Sequence, residues 1–204
     1  MNEKKSSVTD GRRARSGRSR NAIVTALLEL IVAGTPHPSA RQVAERAGVS
    51  PRLVFHHFKD MEAIYNELMA LQGERLKSLL EIDLPPETPF EARLAAFVDH
   101  RVTLLEFISP VRKVMIGAEV TSKVMAAELE RFRAFKRQQA AEVFGPEIAR
   151  LDGETAAEVT AALQAVTSWT AWHSLRHHQK LSVETAERVM IRMIRGILNP
   201  SRGI

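Results

Sequence analysis

The chain has 204 residues, 45% hydrophobic and 26% charged, with no cysteine and a formal net charge of +5. The lack of cysteine excludes disulfides, thiolate metal sites and cysteine nucleophiles, and fits a reducing compartment. No stretch approaches the roughly 20 apolar residues of a membrane helix. The opening MNEKKSSVTDGRRARSGRSR has no apolar core for a secretory signal, and Glu3 and Asp10 speak against a transit peptide, so a cytoplasmic protein with no membrane partner is expected.

The charge is not spread evenly. Lys4, Lys5, Arg12, Arg13, Arg15, Arg18 and Arg20 face only Glu3 and Asp10 in the first twenty residues, and the rest of the chain nets zero. Such a segment reads as a disordered basic arm over 1–17, either a solubilising tail or one that follows DNA phosphates. Beyond it, apolar positions recur at helical spacing. Ile23, Leu27, Leu30 and Ile31 share one face, and Gly34 is placed to end that helix in a left-handed cap. Ser39 opens a second helix, with Gln42 completing a capping-box pattern, and Ser50-Pro51 opens a third. A fourth is expected from about Lys59 to Leu80, followed by the turn-rich IDLPPETP at 82–89. Further helices are expected near 90–108, 111–116, 119–143, 154–178 and 183–198, with breaks at Ser109-Pro110, Gly117, Gly145-Pro146 and 180–182. No stretch alternates as a half-buried strand would, so the fold class is all-α.

The segment SARQVAERAGVSPRLVFHHFKDMEAIY, residues 39–65, carries the functional signal. Two helices joined by Ala47-Gly48-Val49-Ser50 suit a helix-turn-helix: Ala44 is small where the helices cross, and Gly48 accepts the positive φ of the turn. Val43, Val49, Val54 and Phe58 are spaced to bury the unit. Ser50, Pro51, Arg52, Leu53 and His56 are then left at the end that enters a major groove. Arg41, Arg46, Arg52 and Lys59 stand against Glu45 alone between 37 and 59. Helix starts at Ser39 and Ser50 offer backbone N–H groups to phosphates. The same spacing also suits an ordinary helical hairpin with a glycine turn.

Ser39, Val43-Ala44, Ala47-Gly48-Val49-Ser50 and Val54-Phe55-His56-His57-Phe58-Lys59 together resemble the N-terminal signature of the tetracycline-repressor (TetR) family, over about residues 18–68. Phe55 replaces the family's usual Tyr and Met61 its usual Lys, which shifts the distribution of phosphate contacts. Arg52 stands where the family often has a small residue, which makes it the candidate base reader. The resemblance implies an N-terminal three-helix DNA-binding domain over 18–65. A long helix then joins it to a ligand-binding and dimerisation domain over 66–204. It also implies a homodimer on a palindromic double-stranded operator, released by a small-molecule effector. The expected DNA-contacting residues are Arg18, Ser39, Arg41, Ser50, Pro51, Arg52, Phe55, His56, His57 and Lys59.

For the remainder the resemblance is one of layout. Phe97, His100, Phe107, Met115, Phe132 and Phe135 are the candidate ligand-lining residues, a mostly apolar set with one orienting polar group. Val166, Trp169, Trp172 and His173 form one stripe of the penultimate helix. Ala186, Val189, Met190, Met193 and Ile197 form one on the last. Either stripe suits intrachain core or a four-helix dimer interface. His173 and His177 are four apart on one face but lack a third ligand at a clear spacing. The chain has no Gly-rich phosphate loop, no His-Glu-x-x-His and no Gly-x-Ser-x-Gly, so neither an enzyme nor a cofactor is expected. An activator with the same DNA-binding mode, or a helical adaptor without specific DNA binding, would share these features.

Overall fold

The computed structural model describes residues 3–35, 37–82, 84–85, 87–114, 116 and 123–199. Helices account for all regular structure among them: α1 (Glu3–Val32), α2 (Ala40–Ala47), α3 (Pro51–His57), α4 (Met61–Ser78), α5 (Phe90–Val114), α6 (Lys123–Val143), α7 (Gly145–Ile148), α8 (Gly153–Val166), α9 (Trp169–His173) and α10 (Val183–Leu198). A single π-helical turn, Ser174–His178, continues α9. Among the described residues no helix is long and apolar enough to cross a membrane.

The chain divides into two compact units. The first runs to Ser78 and includes Pro110–Val114; the second comprises Leu79–Ser109 and the chain from Met115 onward. The division expected after residue 65 therefore falls later. The reason is the first core: Ile23, Val24, Leu27 and Ile31 of α1 pack with Val43 and Ala44 of α2, Val54 of α3, Phe58, and Ile64 and Leu68 of α4. Two turns of α4 beyond its start are thus committed to that unit.

Several boundaries differ from the sequence reading. The arm expected to be disordered over 1–17 is helical from Glu3. Once 18–32 is nucleated by packing, each further residue is added at propagation cost only, and no proline intervenes. Ser109-Pro110 does not break α5, which runs through Pro110. Pro110 has no N–H to give the carbonyl four residues back. One residue earlier, the Ser109 hydroxyl donates to the Leu105 carbonyl at 2.7 Å. Gly145-Pro146, expected as a break, is the short turn α7, with the proline early in it. The helix expected over 154–178 is interrupted at 167–168, where extended Ser168 caps a new start by accepting from Ala171 N–H. The segments expected at 115 and 117–122 lie outside the described residues.

The second unit is organised around α5. Leu94, Phe97, Val98, Val102 and Leu105 of this helix are buried with Ala140, Val143 and Phe144, Leu163 of α8, Trp172, and Ala186, Met190, Ile194 and Leu198 of α10. Phe97 meets Phe144 edge to face at 5.0 Å between ring centres. Arg93, also buried, is neutralised within this unit. Its Nε donates to the Thr88 carbonyl, its Nη1 and Nη2 to the Glu147 carboxylate at 2.9 and 2.6 Å, and its Nη1 also to the Val143 carbonyl. The side chains of this pair are only 3% and 9% exposed. Removing one partner of a buried pair strands the other charge. Glu147→Gln is expected to destabilise the fold by about 3 kcal/mol, read as a lower urea midpoint at unchanged m-value.

Candidate nucleic-acid interface

The α2–turn–α3 element is built as its residues dictate. Ser39 caps α2 by accepting from Gln42 N–H, and Gln42 Oε1 accepts from Ser39 N–H at 2.9 Å, completing the capping box. Gly48 ends α2 at φ +67°, a left-handed conformation that costs an L side chain strain even where space is open. Its N–H and that of Val49 return to the Glu45 and Ala44 carbonyls. Ser50 caps α3 by accepting from Leu53 N–H at 3.2 Å, with Pro51 in the first turn. Val43, Ala44, Val54 and Phe58 are buried, and Val49 packs half-buried beside them. Asp60, not singled out in the sequence, starts α4 by accepting from Ala63 N–H at 2.8 Å.

With that face buried, the other is set outward. Ser39, Arg41, Ser50, Pro51, Arg52, Phe55, His56, Lys59 and Arg18 are all exposed, and His57 is half-buried. Phe55 is 56% exposed, unusual for an aromatic side chain. His56 and His57 stand edge to face with ring centres 5.4 Å apart. Burial, then the neighbouring His56 and Arg20 charges, hold His57 below the ordinary histidine range.

The cations separate into two kinds. Arg46 Nε is bonded to Glu29 at 2.6 Å, so its charge is already answered by α1. Arg20 is committed further: Nε and Nη2 grip the Glu67 carboxylate at 2.9 and 2.8 Å, Nη1 donates to the His57 carbonyl at 2.8 Å, and the guanidinium lies 4.3 Å over the Phe58 ring. Among the described residues, Arg18, Arg41, Arg52 and Lys59 find no such partner, and they face solvent. The role of Arg20 was not anticipated. Its sequence signal is a basic residue one helical turn ahead of the Ile23–Leu27 core stripe, at the edge of an apolar face.

The candidate ligand-lining residues differ in exposure. Phe97 is fully buried in the core of the second unit, Phe107 and Phe132 are half-buried, and Phe135 is 42% exposed. Phe132 carries Lys136 over its ring at 5.1 Å. Met115 lies outside the described residues. His100 is half-buried on α5 with both ring nitrogens buried and without a hydrogen-bond partner. Burial, then the Arg101 charge, push its pKa down; backbone groups of Leu79 and Glu81 face it without hydrogen-bond geometry and oppose the shift.

The dimer set also divides. Trp172 and Met190 are fully buried within the chain, so neither is open to a partner. Trp172 is held there by its Nε1–H, which donates to Glu106 at 2.7 Å. The single stripe expected on α10 is two stripes: Ala186, Met190, Ile194 and Leu198 are buried, while Val189, Met193 and Ile197 are half-buried beside them. Val166, Trp169 and His173 are half-buried, with Trp169 donating to Ser109 Oγ at 3.0 Å and stacking on His173 at 4.6 Å.

The Arg20 grip generates a pH prediction. The Arg20 hydrogen bonds hold the Glu67 carboxyl below its ordinary range. A carboxyl lowered in the fold stabilises above its unfolded pKa and loses that contribution as pH falls through the folded one. Because both side chains are more than a third exposed, the effect is modest, about 1 kcal/mol. Glu67→Gln should lower stability at neutral pH by that amount and flatten the acid limb between about pH 5 and 3. Parallel urea titrations of both proteins across that range measure it.

Comparison with known proteins agrees with this geometry. The family model of bacterial regulatory proteins of the tetR family matches residues 23–68. The HTH-type transcriptional regulator TcmR of Streptomyces glaucescens is 32% identical over 81 residues, which are 39% of this chain and 36% of that protein. The match thus spans about a third of the relative's length. The crystal structure of a transcriptional regulator from Rhodococcus sp. Rha1 shares the fold at a TM-score of 0.65, covering 91% of this chain and 98% of that one at 19% identity. Over residues 23–68, the helix-turn-helix and the helices that flank it, the chain is similar to the tetR family of bacterial regulatory proteins.

Proposed function

We propose that this chain is a dimeric, DNA-binding transcriptional repressor that a small, largely apolar effector releases from a palindromic operator. The observation that carries the reading is the division of cations around α2 and α3. Arg20 and Arg46 are spent on the protein, whereas Arg41, Arg52 and Lys59 stand exposed and unanswered about a helix whose apolar side is buried. An exposed Phe55 on that helix suits contact with a thymine methyl. The first-turn N–H groups of Ala40 and Arg41, which the capping box does not use, suit phosphate oxygens. Arg52, in the first turn of α3, reads a base edge, and Arg41 contacts the backbone. Dimerisation is supported by the half-buried stripe of Val189, Met193 and Ile197 beside the core face of α10.

Selection from random duplexes should enrich an inverted repeat with half-site centres about one helical turn, or a multiple of it, apart. Recovery of no repeat would sink the proposal. On the selected duplex, Arg52→Ala should relax preference at one position per half-site by about 1–3 kcal/mol. Arg41→Ala should weaken all sequences alike. If Arg52→Ala lowers cognate and non-cognate affinity equally, Arg52 touches phosphate instead. Deleting residues 1–17 should leave the helical circular dichroism of the remainder intact. The salt dependence of binding should become shallower, by about 0.9 in the log–log slope for each phosphate that is no longer neutralised. An unchanged slope would mean that these residues stay off the DNA.

A further inference from the structure

Two arginines on α5, eight positions apart, are both buried and are treated very differently. Every guanidinium nitrogen of Arg93 has an acceptor, and a carboxylate neutralises it. Arg101 is 0% exposed, yet only its Nη2 is bonded, to the neutral Gln139 Oε1 at 3.0 Å. Among the described residues its Nε and Nη1 are buried and find no hydrogen-bond partner. Burial lowers its pKa to about 10, so it remains a cation at neutral pH. Its guanidinium carbon lies 4.8 Å from the Phe97 ring centre, a contact that orients the group without neutralising it. A buried cation with no counter-charge is strongly unfavourable unless something arrives to complete it.

The surroundings are arranged as a receptor for that missing charge. Gln139 cannot swing away, because its Nε2 donates to the Leu80 carbonyl at 2.7 Å. The backbone groups of Leu79 and Glu81, on either side of that carbonyl, face His100. His100 therefore stands at the same segment and adds two more buried nitrogens without partners. The neighbouring residues of α5, Phe97, Val98, Leu104 and Leu105, are buried and apolar. A single fixed positive charge in such surroundings matches a monoanion; a dianion would leave net negative charge buried.

We propose that Arg101, held by Gln139 and flanked by His100, anchors the carboxylate of a monocarboxylic ligand with an apolar body. This names the effector class of the ligand-responsive reading above and rests on it. The ligand carboxylate accepts from Nε and Nη1 in charge-assisted hydrogen bonds. Neutral His100 donates to or accepts from the polar part of the ligand nearest the anchor.

The test uses the full chain and two matched pairs, benzoate with benzamide and decanoate with decanamide, titrated by calorimetry and by thermal shift. At least one carboxylate should bind roughly tenfold to a hundredfold more tightly than its amide. Arg101→Leu should abolish that preference while unfolding at the same or a higher temperature, because it removes an unpaired buried charge. Gln139→Leu, which frees the guanidinium, should weaken the preference severalfold and gives a second route if the first variant does not fold. Equal affinity within both pairs, or a preference that survives Arg101→Leu or Gln139→Leu, would overturn the proposal. Operator binding measured alongside separates the two readings. Carboxylate binding through Arg101 with unchanged operator affinity would keep the site and remove its effector role. An amide that releases the operator while no carboxylate is preferred would keep the ligand-responsive reading and remove the Arg101 site. If both hold, operator DNA must weaken carboxylate binding by the factor by which the carboxylate weakens operator binding.

Discussion

The Arg20 guanidinium joins three helices at one point, and the placement of α3 depends on it. A helix of seven residues is far below the length at which an isolated helix is stable in water. Its position must be imposed from outside. Buried Val54 and Phe58 supply apolar contact, but apolar contact is not directional. Arg20 supplies the direction. It takes the His57 carbonyl at the C-terminal end of α3, lies over Phe58, and is itself fixed by two hydrogen bonds to Glu67 of α4. The Ser50 cap fixes the other end of the same helix. Between these two points the outward side of α3 has little freedom.

The same grip explains why the positive charge of this region is not all equivalent. Arginine serves two purposes in the first unit, and partner geometry separates them. Where a carboxylate lies within reach, as for Arg20 and Arg46, the guanidinium becomes part of the frame. Where none does, as for Arg41 and Arg52, the charge stays available at the surface. Counting basic residues along the sequence merges the two groups.

Along α5 a parallel division occurs in the interior. The Arg93–Glu147 pair shows what a completed buried arginine looks like in this protein: an ion pair with the remaining donors placed on backbone carbonyls. Arg101, on the same helix and equally buried, lacks that completion. The contrast is internal to one helix and one unit, so composition or environment class alone does not account for it. Its sequence signal is visible in retrospect: Arg101 falls on the stripe of Leu94, Phe97, Val98, Leu104 and Leu105, where a charge interrupts an otherwise apolar face.

What the sequence determined by itself was local. The Ser39–Gln42 capping box, the left-handed Gly48, the Ser50-Pro51 helix start and the Ser182 start of α10 are set by residues within four positions of one another. Chemistry at that range needs no tertiary partner. The helical period gave the all-α class, and the outward set on α3 followed because its inward set was unambiguous. Helix continuity was less legible: Pro110 is tolerated within α5, whereas Thr167-Ser168 interrupts a run with no proline or glycine. Both outcomes depend on packing as well as propensity. Only the tertiary structure decided which arginines are spent, since the partners of Arg20 and Arg93 lie 47 and 54 residues away. It also decided that Trp172 and Met190 are core while Met193 and Ile197 are not fully covered. An apolar stripe states that a face must be buried; what buries it is fixed by elements that meet only when the chain folds.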